Sequence, residues 1–419
     1  MHGNAGVILL RLAAASLLGR WLTVGLTVLS IALSVMLFLG VEKVRTGARD
    51  SFAGTISDTD LIVGARSGSV QLLLYSVFRI GSATNNLTWE SYRDIAARPE
   101  VDWIVPISLG DSHRQFRVMG TTDAYFDRYK YRGGRSLAFE AGGRPADLFE
   151  AVVGAQVAEE LGYAVGDPIV VAHGVASFTE HDDLPLRISG VLARTGTPVD
   201  RTVIVTLEAI HVDWRSGARA ARTTPAEILR GMELEPAAIT AAMVGVKSRL
   251  QIFGLQRAIN EYPEEPLLAI LPGVALAELW QIVGLAETAL IAVSAMVVAT
   301  ALIGLAAMIF ASLEERRREM AIMRAVGGRP RTVIGLLTLE AVLMALSGAI
   351  LGLAMLYGAL VLLQPVADRA FGLYLPIESP SAREFAVLGA VVLAAAGTSL
   401  APAWRAYRLS LADGMTVRR

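Results

Sequence analysis

No cysteine occurs anywhere in the chain, which excludes disulfide staples, thiolate metal sites and thiol nucleophiles. Charge is also scarce: 38 basic side chains stand against 39 acidic ones, and charged residues make up 18% of the sequence. A near-neutral chain with no basic excess is not an electrostatic nucleic-acid binder. No G-x-x-x-x-G-K-[ST] phosphate loop is present, so nothing in the chain cradles a nucleotide in the usual way. The serines lack a nucleophile-elbow pattern, which argues against an enzyme active site. Internal repeats and low-complexity tracts are absent as well.

What the chain has in excess is apolar sequence. Hydrophobic residues reach 53% and the mean hydropathy is +0.50, both high for a soluble protein. Residues 21–41 carry no charge, and at about 1.5 Å per residue they cross the roughly 30 Å hydrocarbon layer. A cleaved signal peptide would have a shorter apolar region and a small-residue cleavage site. Here Glu42, Lys43 and Arg45 follow directly, so the segment reads as an uncleaved first span. Residues 1–20, with Arg11 and Arg20, read as a cytoplasmic or interfacial amphipathic helix. A stalk and second span are expected over 276–313, a third span over 333–363 and a fourth over 385–402.

Orientation follows from arginine in the short segments. Arg316, Arg317, Arg318, Arg324, Arg329 and Arg331 lie between spans two and three, and Arg405, Arg408, Arg418 and Arg419 lie in the 403–419 tail. These segments are therefore expected to be cytoplasmic. The 364–384 loop holds only Arg369 and Arg383 and is expected to face outward with the long 42–275 segment. The fold class is thus membrane α-helical, with four transmembrane helices and a large α+β outer domain between the first two.

Within that domain, strands are expected at 101–108, 115–120, 151–153, 169–172, 186–192 and 202–205, and helices at 89–97, 155–161 and 248–262. Residues 198–235 read as a subdomain inserted between two parts of the sheet. The outer histidines His113, His173, His181 and His211 show no zinc-ligand spacing. His181-Asp182-Asp183 reads as a solvated polar loop rather than a metal site, and His173 beside Gly174 as a strand end.

Ionisable groups near the spans need partners. Glu287 sits at the outer end of span two. Glu340 lies about two turns into span three on the cytoplasmic side, and it reads as an interhelical partner of an arginine from the coupling segment. Gly348, Gly352 and Gly358 on span three read as sites of close helix packing.

The most informative stretch is 314–332. Apolar Met320, Met323, Ala325 and Val326 are interleaved with arginines and glutamates, Gly327-Gly328 ends the pattern, and Pro330 starts the next helix. A plain positive-inside loop explains the arginines but not the interleaved acids and methionines or the Gly-Gly stop.

The run R-R-R-E-M-A-I-M-R-A-V-G-G-R-P-R at 316–331 resembles the coupling-helix signature of the FtsX-like/MacB-type ABC transporter permease family. The tail P-A-W-R-A-Y-R-L-S-L-A-D-G-M at 402–415 is similar to that family's ending, in which a proline and spaced arginines close the last span. V-V-G-A-Q-V-A-E-E-L-G-Y-A-V-G-D at 152–167 resembles a piece of the MacB-like periplasmic core. Macrolide-exporter members carry an ATPase ahead of the first span in the same chain, whereas only about 20 residues precede it here. The cell-division members have a smaller outer domain, so the layout is nearest to the lipoprotein-releasing (LolC and LolE) type.

The resemblance implies a mechanotransmission permease of the bacterial inner membrane, with both termini cytoplasmic. It implies no enzymatic activity and no cofactor in this chain, Mg-ATP being bound by two copies of a separate ABC ATPase. It also implies a second permease as homo- or heterodimer partner, membrane lipids, and a periplasmic adaptor or substrate protein. Glu315, Arg316, Arg318, Glu319, Met320, Ile322, Met323, Arg324 and Gly327 are the implied ATPase contacts. The substrate would be a lipoprotein, peptide or small amphiphile. Regulation of a cell-wall hydrolase, or a metal-trafficking role, remains an open alternative.

Overall fold

The computed structural model describes residues 13, 15–173, 186–210, 235–315, 330–371, 377 and 379–408. It divides into two compact units, one formed by Met1–Thr46, Leu285–Pro365 and Leu375–Arg419, the other by Gly47–Gly284 and Val366–Tyr374. The chain begins with α1 (Trp21–Gly54). There follow β1 (Leu61–Ala65), α2 (Ser69–Ser76), α3 (Trp89–Ala96), β2 (Val101–His113), β3 (Phe116–Thr121), α4 (Ala124–Arg128) and β4 (Phe139–Gly142). Next come β5 (Glu150–Val153), α5 (Ala155–Leu161), β6 (Leu186–Leu192), β7 (Thr202–Thr206), β8 (Ala241–Val246), α6 (Ile252–Asn260) and β9 (Leu267–Ile270). Three long helices come last, α7 (Pro272–Glu315), α8 (Pro330–Phe371) and α9 (Ala382–Arg408).

The second unit is built on one mixed sheet with strand order β9-β1-β8-β2-β3-β7-β5-β6-β4. The β3/β7 and β5/β6 pairs are parallel, and the other pairs along this path are antiparallel. Successive side chains of a strand point to opposite faces, and both faces here are covered. At one end Leu61 and Val63 pack under α3 and α6 through Ile95, Leu255 and Ile259. Ile62 between them packs on the other face against Leu72 and Leu73 of α2. Further along, Ala151 and Val153 join Val157 of α5, while Val152 faces Tyr125 and Tyr129.

Most of the predicted elements are present. β1, β8 and β9 were not predicted, and they form one end of the sheet. The inserted subdomain expected from 198 needs correction: Pro198–Arg201 is a 3-10 turn leading into β7, which lies between β3 and β5 in the sheet. Any insertion therefore starts after Thr206, and residues 211–234 lie outside the described residues. Pro402 also departs from expectation, because α9 continues through it to Arg408. A proline removes one N–H from the ladder but does not have to end a membrane helix, where neighbouring groups re-satisfy the freed carbonyl.

The 152–167 segment folds around two glycines. Gly162 takes a left-handed conformation, φ 70°, to cap α5, a role that glycine fills without Cβ strain. Gly154 caps the other end, where a Cβ would lie 2.3 Å from the Val199 carbonyl oxygen and 2.5 Å from that of Asp200. Both obstacles are backbone, so relief requires moving the turn before β7. Gly154→Ala is expected to destabilise the chain by at least about 1–3 kcal/mol. Thermal unfolding of the purified protein reads this, and an unchanged midpoint would contradict the close approach.

Candidate functional site: the interhelical seam and its charged rim

Of the predicted ATPase contacts, Glu315 ends α7, while Arg316, Arg318, Glu319, Met320, Ile322, Met323, Arg324 and Gly327 lie outside the described residues. His181 and His211 do as well. Four helices are long and apolar enough to cross a membrane, with spans within Trp21–Gly54, Pro272–Leu313, Thr332–Gln364 and Ala382–Arg405.

In the membrane unit glycines of α8 bring it close to α1. A Cβ on Gly348 would sit 2.8 Å from Ile31 Cβ and 3.0 Å from the Val28 carbonyl oxygen. One on Gly352 would sit 2.5 Å from the Ala32 carbonyl oxygen. Gly40 of α1 continues the seam against Leu356, at 3.5 Å. Residues 348, 352 and 356 are spaced by four and so share one helix face. Ala341, Ala345 and Ala349, all buried, add small side chains to the same helix, the composition that lets membrane helices approach closely. Gly358 needs correction, because nothing lies within 4 Å of a Cβ placed there. Six residues beyond Gly352, it is turned about 240° round the helix, away from the seam.

The buried polar groups of these helices have partners, and Ser34 reaches the Val297 carbonyl of α7 at 3.5 Å. Ser34, Ser294 and Ser312 each donate at 2.8 Å to carbonyls of Ser30, Leu290 and Ile309 on their own helices. Ser399 reaches the Ala396 carbonyl at 2.7 Å and Thr338 of α8 at 3.4 Å. Glu340, only 2% exposed, pairs with Arg20 at 3.7 Å, a residue that precedes α1; the arginines of the coupling segment between 316 and 329 lie outside the described residues. A carboxylate in this apolar setting needs a cation, since an uncompensated buried charge is strongly destabilising.

At the opposite end of the seam a charged rim joins all four helices. Lys43 Nζ donates to Glu384 Oε1 at 3.0 Å and to the Tyr357 hydroxyl at 3.4 Å, and that hydroxyl donates to Glu384 Oε2 at 3.0 Å. Arg45 grips Glu42 with two bonds of 2.8 and 3.0 Å and approaches Glu287 of α7 at 3.7 Å. Arg383 of α9 closes the network on Glu42 at 2.8 Å. Sequence reading placed Glu287 near the interface but did not find this network.

The outer histidine that can be described in detail is structural. His113 contacts the Val170 carbonyl through Nδ1 and the Tyr163 hydroxyl through Nε2, the latter at 2.9 Å. His173 lies in a two-residue strand, Ala172–His173, paired with β2. Among the described residues no group of three or more His, Cys, Asp or Glu side chains could hold a metal ion.

A bundle of four helices long and apolar enough to cross a membrane, tied by small residues and ion pairs and carrying a mixed-sheet domain between its first two helices, defines a multi-pass membrane protein. Residues 24–259 match the MacB-like periplasmic core domain, and residues 291–411 match the FtsX-like permease C-terminal domain. The chain belongs to the FtsX-like/MacB-type ABC transporter permease family. Its span number and periplasmic-type domain fit a multi-pass inner-membrane protein. Among solved structures it is similar to the periplasmic region of MacB from Actinobacillus actinomycetemcomitans, at 11% identity and a TM-score of 0.34, covering 54% of this chain and 94% of that one. It is also similar to the extracellular domain of the noncanonic ABC-type transporter YknZ from Gram-positive bacteria, at 14% identity and a TM-score of 0.31, covering 51% and 99%. Comparison with curated proteins gave no match.

The seam makes a contrast between glycines testable. Gly352→Ala forces a methyl onto the Ala32 carbonyl and is expected to cost about 1–3 kcal/mol. Gly358→Ala meets open space and is expected to be neutral or stabilising by up to about 1 kcal/mol, since alanine is the better helix former. Unfolding of the two variants in one detergent decides it; equal midpoints would mean α8 does not pack on α1 through Gly352.

Proposed function

We propose that this chain is the permease subunit of an ABC transporter of the mechanotransmission type. ATP, bound with Mg²⁺ by a separate ATPase present in two copies, closes the ATPase pair. The coupling segment between α7 and α8 receives that motion on the cytoplasmic side, and the outer domain delivers it to a lipoprotein, peptide or small amphiphile. Two permease chains act together, each with both termini in the cytoplasm.

The observation that carries this reading is the treatment of polar groups in the membrane unit. The serines buried there bond backbone carbonyls of their own helices, and buried Glu340 and Glu384 are held in ion pairs. Among the described residues this leaves no file of polar side chains along which a hydrophilic solute could move. Work on the outer side is the alternative to a pathway through the bundle. The lengths of α1 and α7 support it: 34 and 44 residues correspond to about 51 and 66 Å of helix, well beyond the roughly 30 Å hydrocarbon layer.

A second reading, ATPase-driven regulation of a periplasmic partner such as a cell-wall hydrolase, is favoured by one observation. Leu250 and Phe253, 93% and 70% exposed, place two large apolar side chains on the surface of the outer domain, as a docking patch requires. If Leu250→Asp with Phe253→Asp abolished the cellular role while ATPase binding persisted, regulation would be selected; a retained role favours transport.

The coupling reading is tested by Glu319→Ala with Arg324→Ala. Recovery of the ATPase with the purified permease is expected to fall at least about tenfold, while the amount of permease in the membrane stays constant. Unchanged recovery would sink the assignment of this segment as the ATPase contact.

A further inference from the structure

Three arginines of the outer domain are not used by the seam, the rim or the coupling segment. Arg79, Arg117 and Arg201 line one cavity of about 420 Å³, together with Phe52, Phe78 and Ile80. Among the described residues no carboxylate belongs to its lining. Among the described residues none lies within 4.0 Å of these guanidinium groups. Their contacts are with neutral groups. Arg117 Nη2 donates to the Gly81 carbonyl at 2.6 Å, and the Arg201 guanidinium lies over the Phe116 ring, 5.4 Å from its centroid. Arg79 Nη2 lies 2.7 Å from the Met119 sulfur, while its Nε is buried without a hydrogen-bond partner.

Neutral acceptors satisfy hydrogen bonds but do not cancel charge. Three cations around one concavity with apolar walls produce a concentrated positive potential. Burial already pushes the Arg117 guanidinium pKa down from its ordinary value, the direction expected for a cation whose water is not fully replaced. Arg79 also holds a left-handed backbone, φ 61°, a cost that persists only where the surroundings impose it.

Part of the wall is apolar. Phe52 and Phe78 pack with their rings tilted by 38° and centroids 4.6 Å apart, and Ile80, which also lines the cavity, is 55% exposed. The loop completing the cavity is held rigidly, because the Asp200 carboxylate accepts from the Thr195 and Gly196 amides at 2.8 and 2.6 Å and from the Thr195 hydroxyl at 2.8 Å. The cavity is therefore preformed, and its volume lies within the range of small-ligand sites.

We propose that this cavity binds a single-chain anionic amphiphile. Its phosphate or carboxylate head lies between Arg117 and Arg201, and its apolar part lies against Phe52, Phe78 and Ile80. Guanidinium forks match both head groups, and the aromatic wall distinguishes an amphiphile from an inorganic anion. The site stands apart from the coupling proposal and needs no ATPase.

The test uses the full chain in nanodiscs of zwitterionic phosphatidylcholine, titrated calorimetrically with octyl phosphate below its micellar range. Saturable binding is expected, weakened about tenfold or more by Arg117→Gln and by Arg201→Gln, and unchanged by Arg257→Gln, an exposed position outside the cavity. Unfolding midpoints within a degree or two of the unmodified chain establish that the variants are folded. If one cavity variant misfolds, the other carries the comparison. Octanol and inorganic phosphate are expected to bind at least about tenfold more weakly. The proposal is overturned if the cavity variants bind like Arg257→Gln, if either control ligand binds as tightly, or if binding is only non-saturable partition into lipid. None of these results bears on ATPase recovery, so the two proposals fail separately.

Discussion

The membrane unit depends on the absence of side chains at Gly348 and Gly352. Hydrocarbon offers no hydrophobic drive to press two helices together, so contact must come from van der Waals fit. A fit of α8 against the backbone of Val28 and Ala32 and the side chain of Ile31 requires positions with no Cβ. Once that approach is made, neighbouring features follow from it. Glu340 can meet a cation from the segment before α1, and Lys43 at the far end of α1 can reach Tyr357 and Glu384. Glu340 and Glu384 would each be costly without their partners, so the seam and its terminal charges belong to one arrangement.

The outer domain solves a related problem by different means. A sheet covered on both faces has little room to adjust, and at some of its tight points backbone meets backbone. Gly154 under the turn before β7 is one such point. The same turn, stiffened by Asp200, forms a wall of the arginine-lined cavity. A constraint that fixes the fold therefore also shapes a concavity on its surface.

Much of this was legible in the sequence where the signal is local. The spans are readable because about twenty apolar residues in a row have few other uses. α3 is readable because Thr88 caps it, accepting from the Ser91 amide. β1, β8 and β9 escaped for a physical reason: in β1 every residue is buried and in β8 nearly every one, so neither strand shows the alternation that marks a half-exposed strand. The rim escaped because it is assembled across the chain, Lys43 meeting residues 314 and 341 positions away. Glu340 could be recognised as needing a cation, but composition could not name Arg20. Gly358 shows the converse error, since a glycine reads as a packing site only when its angular phase agrees with its neighbours.

At one end of the seam Glu42, Lys43, Arg45, Glu287, Arg383 and Glu384 join α1, α7 and α9, with Tyr357 adding α8. Charges from four helices held at one level act like a ferrule around a bundle of rods: the rods can tilt as a set, but they cannot splay apart at that level.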